Sequence, residues 1–110
     1  MFRTVLTPVR DVDAAKTVWV ALLGEPTTDS PYYVGWTRDG EEVGLVPGGH
    51  QQGLTGPTPY RHVTDAAATI EALVAAGATV KQEPRDVGSG RLVALVADAE
   101  DNLVGVIQDA

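Results

Sequence analysis

The chain has 110 residues, no cysteine and a formal net charge of −7. This length fits one domain with its own core, and without cysteine neither disulfides nor thiolate metal sites can form. The negative charge argues against nucleic acid and membrane partners, because both attract positive charge. The first residues lack the apolar core of a signal peptide, so we expect a cytoplasmic protein.

The first half of the chain predicts a strand, a helix and an antiparallel hairpin. Residues 2–9 form the strand and residues 13–23 the helix, which Asp11 or Asp13 can cap and Gly24 can close. Residues 25–31 are polar and hold at most a short strand. Asp39-Gly40 then predicts a two-residue turn between two strands. The predicted buried stripe of the helix consists of Ala15, Val18, Trp19, Leu22 and Leu23.

A region rich in glycine and proline, residues 48–58, separates the two halves and could close over a ligand. The second half then predicts a strand from Tyr60 to Val63, a helix over residues 65–76, and three more strands. These strands cover residues 78–80, 92–97 and 103–107.

The two halves are repeats of one pattern. Val9, Asp11 and Ala14 correspond at one offset to Val63, Asp65 and Ala68, and the last strand of each half has a central glycine, Gly44 or Gly105. We therefore predict an α+β fold: two βαβββ modules, about 1–47 and 59–110, that form one curved mixed sheet with the helices on its outer face.

The motifs of both repeats resemble those of the vicinal oxygen chelate superfamily, which includes glyoxalases, bleomycin-resistance proteins and extradiol dioxygenases. They are residues 9–15 with 18–24, residues 63–65 with 73–78, and residues 98–103, where the family commonly has Asp-Pro-Asp-Gly-Asn. The resemblance covers nearly the whole chain and implies a homodimer. It specifies architecture better than activity.

The family's enzymes hold a divalent metal with one residue, usually His or Glu, from each of four strands. The resemblance places those four positions at Thr4, Gly44, Thr58 and Gly105. Glycine has no side chain and a threonine hydroxyl is a poor ligand. We therefore expect no metal and no cofactor.

The expected ligand site is the concave face of the sheet. Gly35 should face Gly44 across the hairpin and leave a bare floor, while Trp36 packs towards the helix. Alternation places three side chains of one strand, Thr58, Tyr60 and His62, on the same face. The predicted ligand-binding residues are Thr4, Leu6, Tyr33, Gly44, Thr58, Tyr60, His62, Val96 and Gly105.

Two residues could carry catalysis: His62 as general base and Tyr60 as proton donor. Both could instead be structural residues that fill the cleft or are buried by a partner chain, and a structural role is the commoner one for a lone histidine in a strand. His50 is expected to be an ordinary loop residue. Arg85 and Arg91 could hold a carboxylate, but a solvated turn with weak ion pairs is favoured.

The leading prediction is a metal-free protein that binds a small apolar or aromatic molecule. One alternative is an enzyme, either a lyase or isomerase that uses His62 and Tyr60 or a dioxygenase-like enzyme with an atypical metal site. Another alternative is a protein-interaction module without a ligand pocket.

Overall fold

The computed structural model describes all residues 1–110, and they form two compact units. The N-terminal unit is Arg3–Thr58, and the C-terminal unit comprises Pro59–Ala110 with Met1–Phe2. Each unit combines one helix with a mixed sheet, so the predicted α+β class and the βαβββ modules are confirmed. Neither helix has the length and apolarity that crossing a membrane requires.

The N-terminal unit is a four-stranded sheet with strand order β2-β3-β4-β1. β1 pairs parallel to β4, and the other neighbours are antiparallel. Its elements are β1 (Thr4–Pro8), α1 (Val12–Leu23), β2 (Thr28–Ser30), β3 (Tyr33–Arg38) and β4 (Glu41–Val46), followed by a short 3-10 helix, Gly49–Gln52.

The C-terminal unit repeats this topology with strand order β5-β8-β7-β6. Its first strand again pairs parallel to its last, and the other pairs are antiparallel. Its elements are β5 (Thr58–His62, which begins at the unit boundary), α2 (Ala66–Ala75), β6 (Thr79–Asp86), β7 (Leu92–Ala97) and β8 (Leu103–Gln108).

Both helices begin at an aspartate, as the repeat predicts. The Asp11 carboxylate accepts the backbone N–H of Ala14, and Asp65 accepts that of Ala68, each at 3.0 Å. Such caps satisfy N–H groups that have no partner inside the helix. Gly24 ends α1, as expected; its φ of +83° with ψ of −162° is a backbone conformation that glycine adopts readily.

The face of α1 that packs on the sheet differs from the prediction. Val18 and Leu22 are 68% and 74% exposed, so their assignment to the buried stripe is wrong. Ala15, Trp19 and Leu23 pack on the core as predicted, and Val12 and Val20 pack there in place of Val18 and Leu22.

The tight turn and its register agree with the prediction. Asp39 and Gly40 both have positive φ, at 52° and 79°, which a two-residue hairpin turn requires. Gly35 therefore lies opposite Gly44, and Trp36 lies opposite Val43. The Trp36 side chain packs in the core beneath α1 and donates its indole N–H to the Gly24 carbonyl at 2.8 Å.

β6 is much longer than the predicted residues 78–80. It continues to Asp86, with register shifts between Val80 and Gln82 and between Gln82 and Arg85. Proline and charged side chains within it give the sequence the appearance of a loop, yet bulged edge strands accommodate both.

The region between the modules is partly ordered by local contacts. Leu54 is 3% exposed and donates its backbone N–H to the Gly49 carbonyl at 3.0 Å. A Cβ at Gly49 would lie 2.8 Å from Pro8 Cβ, so the 3-10 helix lies close against the end of β1. Closure of residues 48–58 over a ligand stays a prediction.

Candidate functional site: the helix-free sheet faces

Each unit has one sheet face covered by its helix and one face that carries the predicted site residues. Beneath α1 the core contains Val34, Trp36 and Leu45. Side chains alternate along a strand, so the opposite side of that sheet carries Tyr33, Gly35, Glu42 and Gly44. We call this side, in either unit, the helix-free face.

In the N-terminal unit, the ring of Tyr33 covers the glycine pair in the middle of the hairpin. A Cβ on Gly44 would lie 2.3 Å from Tyr33 Oη, and one on Gly35 would lie 2.5 Å from Tyr33 Cε2. The sequence suggested a bare floor at this place, and that expectation is wrong. The Tyr33 ring covers the floor and occupies the space that side chains at Gly35 and Gly44 would need.

Glu42 holds this ring in place, and sequence reasoning did not identify it. The Tyr33 hydroxyl donates a hydrogen bond of 2.5 Å to Glu42 Oε2. Glu42 is paired with Thr4, and Leu6 is paired with Gly44, so all four residues share the helix-free face. Glu42 lies two residues before Gly44 on the same strand, and this spacing is the signal that could have revealed it.

The C-terminal unit repeats the arrangement with a ring from a different strand. Tyr60 on β5 is paired with Gly105 on β8, and a Cβ on Gly105 would lie 2.1 Å from Tyr60 Cε2. Tyr60 is only 3% exposed. Burial raises the pKa of its phenol to about 12, although the positive charge of Arg85 opposes that rise. Tyr60 therefore stays protonated at neutral pH and cannot serve there as a base.

His62 lies two residues after Tyr60 on β5, on the same face of the sheet. It forms a cluster with Arg91 and Asp109. Its Nδ1 lies 2.7 Å from Asp109 Oδ2, and Arg91 Nε lies 3.1 Å from the other oxygen of that carboxylate. Arg91 is therefore an ion-pair partner of the half-exposed Asp109, as the favoured prediction of ion pairs around this turn allows. Asp109 was not foreseen, because 47 positions separate it from His62.

Val96 does not lie on the helix-free face. Gly105 is paired with Leu95, and Val96 points to the opposite side, where it packs with Ala66 and Ile70 beneath α2. Its assignment to the concave face is wrong, because the prediction did not carry the register of β8 across to β7.

Two threonines occupy buried positions in the N-terminal unit. Thr4 and Thr58 are each 1% exposed. The Thr58 hydroxyl donates a hydrogen bond of 2.9 Å to the Gly56 carbonyl. That bond holds the chain where it enters β5.

The fold is also found in solved structures. The chain superposes on the crystal structure of a glyoxalase/bleomycin resistance protein/dioxygenase superfamily member from Vibrio splendidus with a TM-score of 0.68 and 19% identity, covering 99% of this chain and 100% of that one. This chain has the glyoxalase-like fold. The predicted resemblance to the vicinal oxygen chelate superfamily is thereby confirmed for the fold.

Two further structures share the glyoxalase-like fold. One, described as an NAD-dependent benzaldehyde dehydrogenase from Legionella pneumophila, has a TM-score of 0.74 at 16% identity and covers 97% of this chain and 98% of that one. A Mn(II)-bound glyoxalase from Novosphingobium aromaticivorans has a TM-score of 0.68 at 19% identity; the match covers 98% of this chain and 38% of that one. No family model and no curated protein matches the chain.

The donor set of this chain does not fit the metal that some proteins of this fold bind. Two of the four expected positions, Gly44 and Gly105, lack side chains, and tyrosine rings fill the space where ligands would project. No three His, Cys, Asp or Glu residues are grouped so that they could hold a metal ion.

Proposed function

We propose that this protein is a metal-free small-molecule-binding protein of the glyoxalase and bleomycin-resistance type, which holds an apolar or aromatic ligand on its helix-free face. The observation that supports the proposal is that the rings of Tyr33 and Tyr60 fill the space beside Gly44 and Gly105, two of the positions to which the resemblance assigns metal ligands.

Tyr33 is the part of this face best suited to receive a ligand. It is only partly buried, as are Leu6, Glu42 and Val46 around it. Aromatic rings bind planar apolar molecules by offset stacking, which contributes roughly 0.5–1.5 kcal/mol beyond the burial of area. Because Glu42 fixes the Tyr33 hydroxyl, the ring is oriented before a ligand arrives, which reduces the entropy lost on binding.

The test uses N-phenyl-1-naphthylamine, an uncharged aromatic dye whose fluorescence rises in apolar sites. We expect the wild-type chain to bind it and Tyr33→Ala to weaken binding about threefold to tenfold, as loss of one stacking contact implies. Tyr32→Ala is the matched control, because Tyr32 is the neighbouring tyrosine and is 85% exposed.

Two results would contradict the proposal. One is equal dye affinity in the Tyr33→Ala and Tyr32→Ala variants, or no binding to the wild type. The other is elemental analysis of the purified protein that finds a stoichiometric divalent metal bound by protein atoms.

The proposal includes a cytoplasmic homodimer. The exposed pair Val18 and Leu22, one turn apart on α1, supports self-association, since clustered exposed apolar side chains are typical of interaction surfaces. We expect light scattering to find a dimer in the wild type and a monomer in Leu22→Glu. A wild-type monomer at all concentrations tested would refute this part, as would cell fractionation that finds the protein outside the cytoplasm.

One observation favours a second candidate function, an isomerase or lyase with His62 as base: the hydrogen bond between His62 and Asp109. Carboxylates paired in this way orient a catalytic imidazole. The probe is hydroxyacetone in D₂O, where base catalysis replaces the hydrogens beside the carbonyl with deuterium. We expect His62→Gln to abolish any exchange above the buffer rate; a wild type that shows no such exchange counts against the enzyme.

A further inference from the structure

The cluster of Arg91, Asp109 and His62 has a geometry that fixes where its protons lie. An ionised carboxylate can only accept hydrogen bonds. Because Asp109 Oδ2 lies 2.7 Å from His62 Nδ1, the nitrogen must be the donor and must carry a proton. Arg91 Nε, 3.1 Å from Asp109 Oδ1, forms an ion pair that favours the ionised carboxylate.

The proton on Nδ1 determines the chemistry of the other ring nitrogen. In a neutral imidazole one nitrogen is a donor and the other an acceptor. With Nδ1 donating to Asp109, Nε2 carries the lone pair. His62 is 15% exposed at its side chain, whereas Asp109 is 56% exposed, so the carboxylate lies towards solvent and the imidazole extends inward from it.

The surroundings of His62 indicate the kind of molecule that could bind to its Nε2. His62 is paired with Ile107, and its neighbours along the same face are Tyr60 and Gly105. Ile107 and Tyr60 are 1% and 3% exposed. This apolar setting favours an uncharged ligand with one hydrogen-bond donor over an anion, whose desolvation is costly.

We propose that Arg91 and Asp109 are positioning residues that fix His62 in the tautomer with an accepting Nε2, and that this nitrogen recognises neutral ligands that donate an O–H or N–H group. The second part rests on the proposed ligand binding at the helix-free face. The first part concerns only residues of the C-terminal unit and is independent of it.

The tautomer can be measured directly. Long-range ¹H–¹⁵N NMR distinguishes protonated from unprotonated ring nitrogens. Because the chain has only two histidines, the signals that remain in the His50→Gln variant belong to His62. Well above the pH range in which imidazole titrates, we expect His62 to carry its proton on Nδ1. Asp109→Ala should shift the population towards the Nε2–H form, whereas Glu71→Ala, which removes an exposed carboxylate from α2, should not.

A matched pair of probes tests the ligand class. Phenol and anisole are similar in ring and size, but only phenol donates a hydrogen bond. We expect phenol to shift the Nε2 resonance of His62 in the wild type and anisole to leave it unchanged. Equal responses to the two compounds, or none to either, would overturn the recognition role.

The outcomes separate this inference from the proposed function. A wild-type His62 that is mainly protonated at Nε2 overturns the positioning role, and so does an unchanged spectrum in Asp109→Ala. Neither result affects dye binding at Tyr33. Conversely, a chain that fails to bind the naphthylamine dye but shows the expected tautomer loses the proposed ligand at Tyr33 and keeps the positioned histidine.

Discussion

The two units solve the same packing problem in different ways. Each has a glycine in the middle of its last strand, and each covers it with a tyrosine ring. In the N-terminal unit the ring is Tyr33, from the same hairpin as Gly44 and only partly buried. In the C-terminal unit it is Tyr60, from the parallel neighbour of Gly105 and almost fully buried.

This difference separates a partly exposed ring from a buried one. Tyr33 is anchored at its tip by Glu42 and keeps part of its surface exposed. Tyr60 is almost fully buried, and burial raises its pKa to about 12. Of the two rings, Tyr33 is therefore the more accessible, while the corresponding tyrosine of the C-terminal unit is part of the core.

The largest expected effect is that of Gly105→Ala. Its new Cβ would lie 2.1 Å from Tyr60 Cε2, and the buried ring has no free space to enter. Overpacking of this kind costs about 3 kcal/mol. Urea denaturation should therefore show a free energy of unfolding lower by that amount, with an unchanged m value.

Gly56→Ala is the control, because a Cβ at Gly56 would meet nothing within 4 Å. The double variant Tyr60→Ala with Gly105→Ala should cost less than the sum of the two single changes, since removal of the ring removes the clash. A Gly105→Ala variant as stable as Gly56→Ala would show that the Tyr60 ring moves freely.

The next effect in size is the response to alkaline pH. Tyr60 has its pKa raised from 10.0 to about 12 in the folded chain, chiefly by burial. The folded state therefore binds this proton more tightly than the unfolded state, so the contribution to stability is complete below pH 10 and is lost as pH rises towards 12. The loss approaches about 2–3 kcal/mol.

Tyr60→Phe has no phenol to ionise and removes this contribution. Its free energy of unfolding should decline less steeply between pH 10 and 12 than that of the wild type, while Tyr32→Phe, at an exposed position, should follow the wild type. Parallel curves for Tyr60→Phe and the wild type would mean that the phenol is not buried in solution.

The parts of the fold that depend on neighbouring residues could be predicted from the sequence. The caps Asp11 and Asp65 and the turn at Asp39-Gly40 act within a few residues. The register Gly35–Gly44 followed from the turn alone, because a two-residue loop fixes every pair along the hairpin.

The features that were predicted wrongly or missed depend on contacts between distant segments. α1 has apolar side chains on more than one side, so helical spacing alone could not show that Val18 and Leu22 are exposed. Val96 was placed on the wrong face because the turn between β7 and β8 is longer than two residues and does not by itself fix how these strands pair. The pairing of Asp109 with His62 has no signal in the sequence, since topology alone brings the two segments together.

The smallest expected effect, and the sharpest test of the comparison, is Gly44→Ala. Its Cβ would lie 2.3 Å from Tyr33 Oη, so the ring must swing away and lose its hydrogen bond to Glu42. A bond to a charged group contributes about 1.5–3 kcal/mol, and because both side chains are only partly buried, denaturation should show a loss at the lower end of that range. In a Tyr33→Phe background, which already lacks the bond, the same change should cost less. A cost equal to that of Gly105→Ala in both backgrounds would mean that Tyr33 is packed as tightly as Tyr60, and the N-terminal unit would then have no more accessible ring than the C-terminal unit.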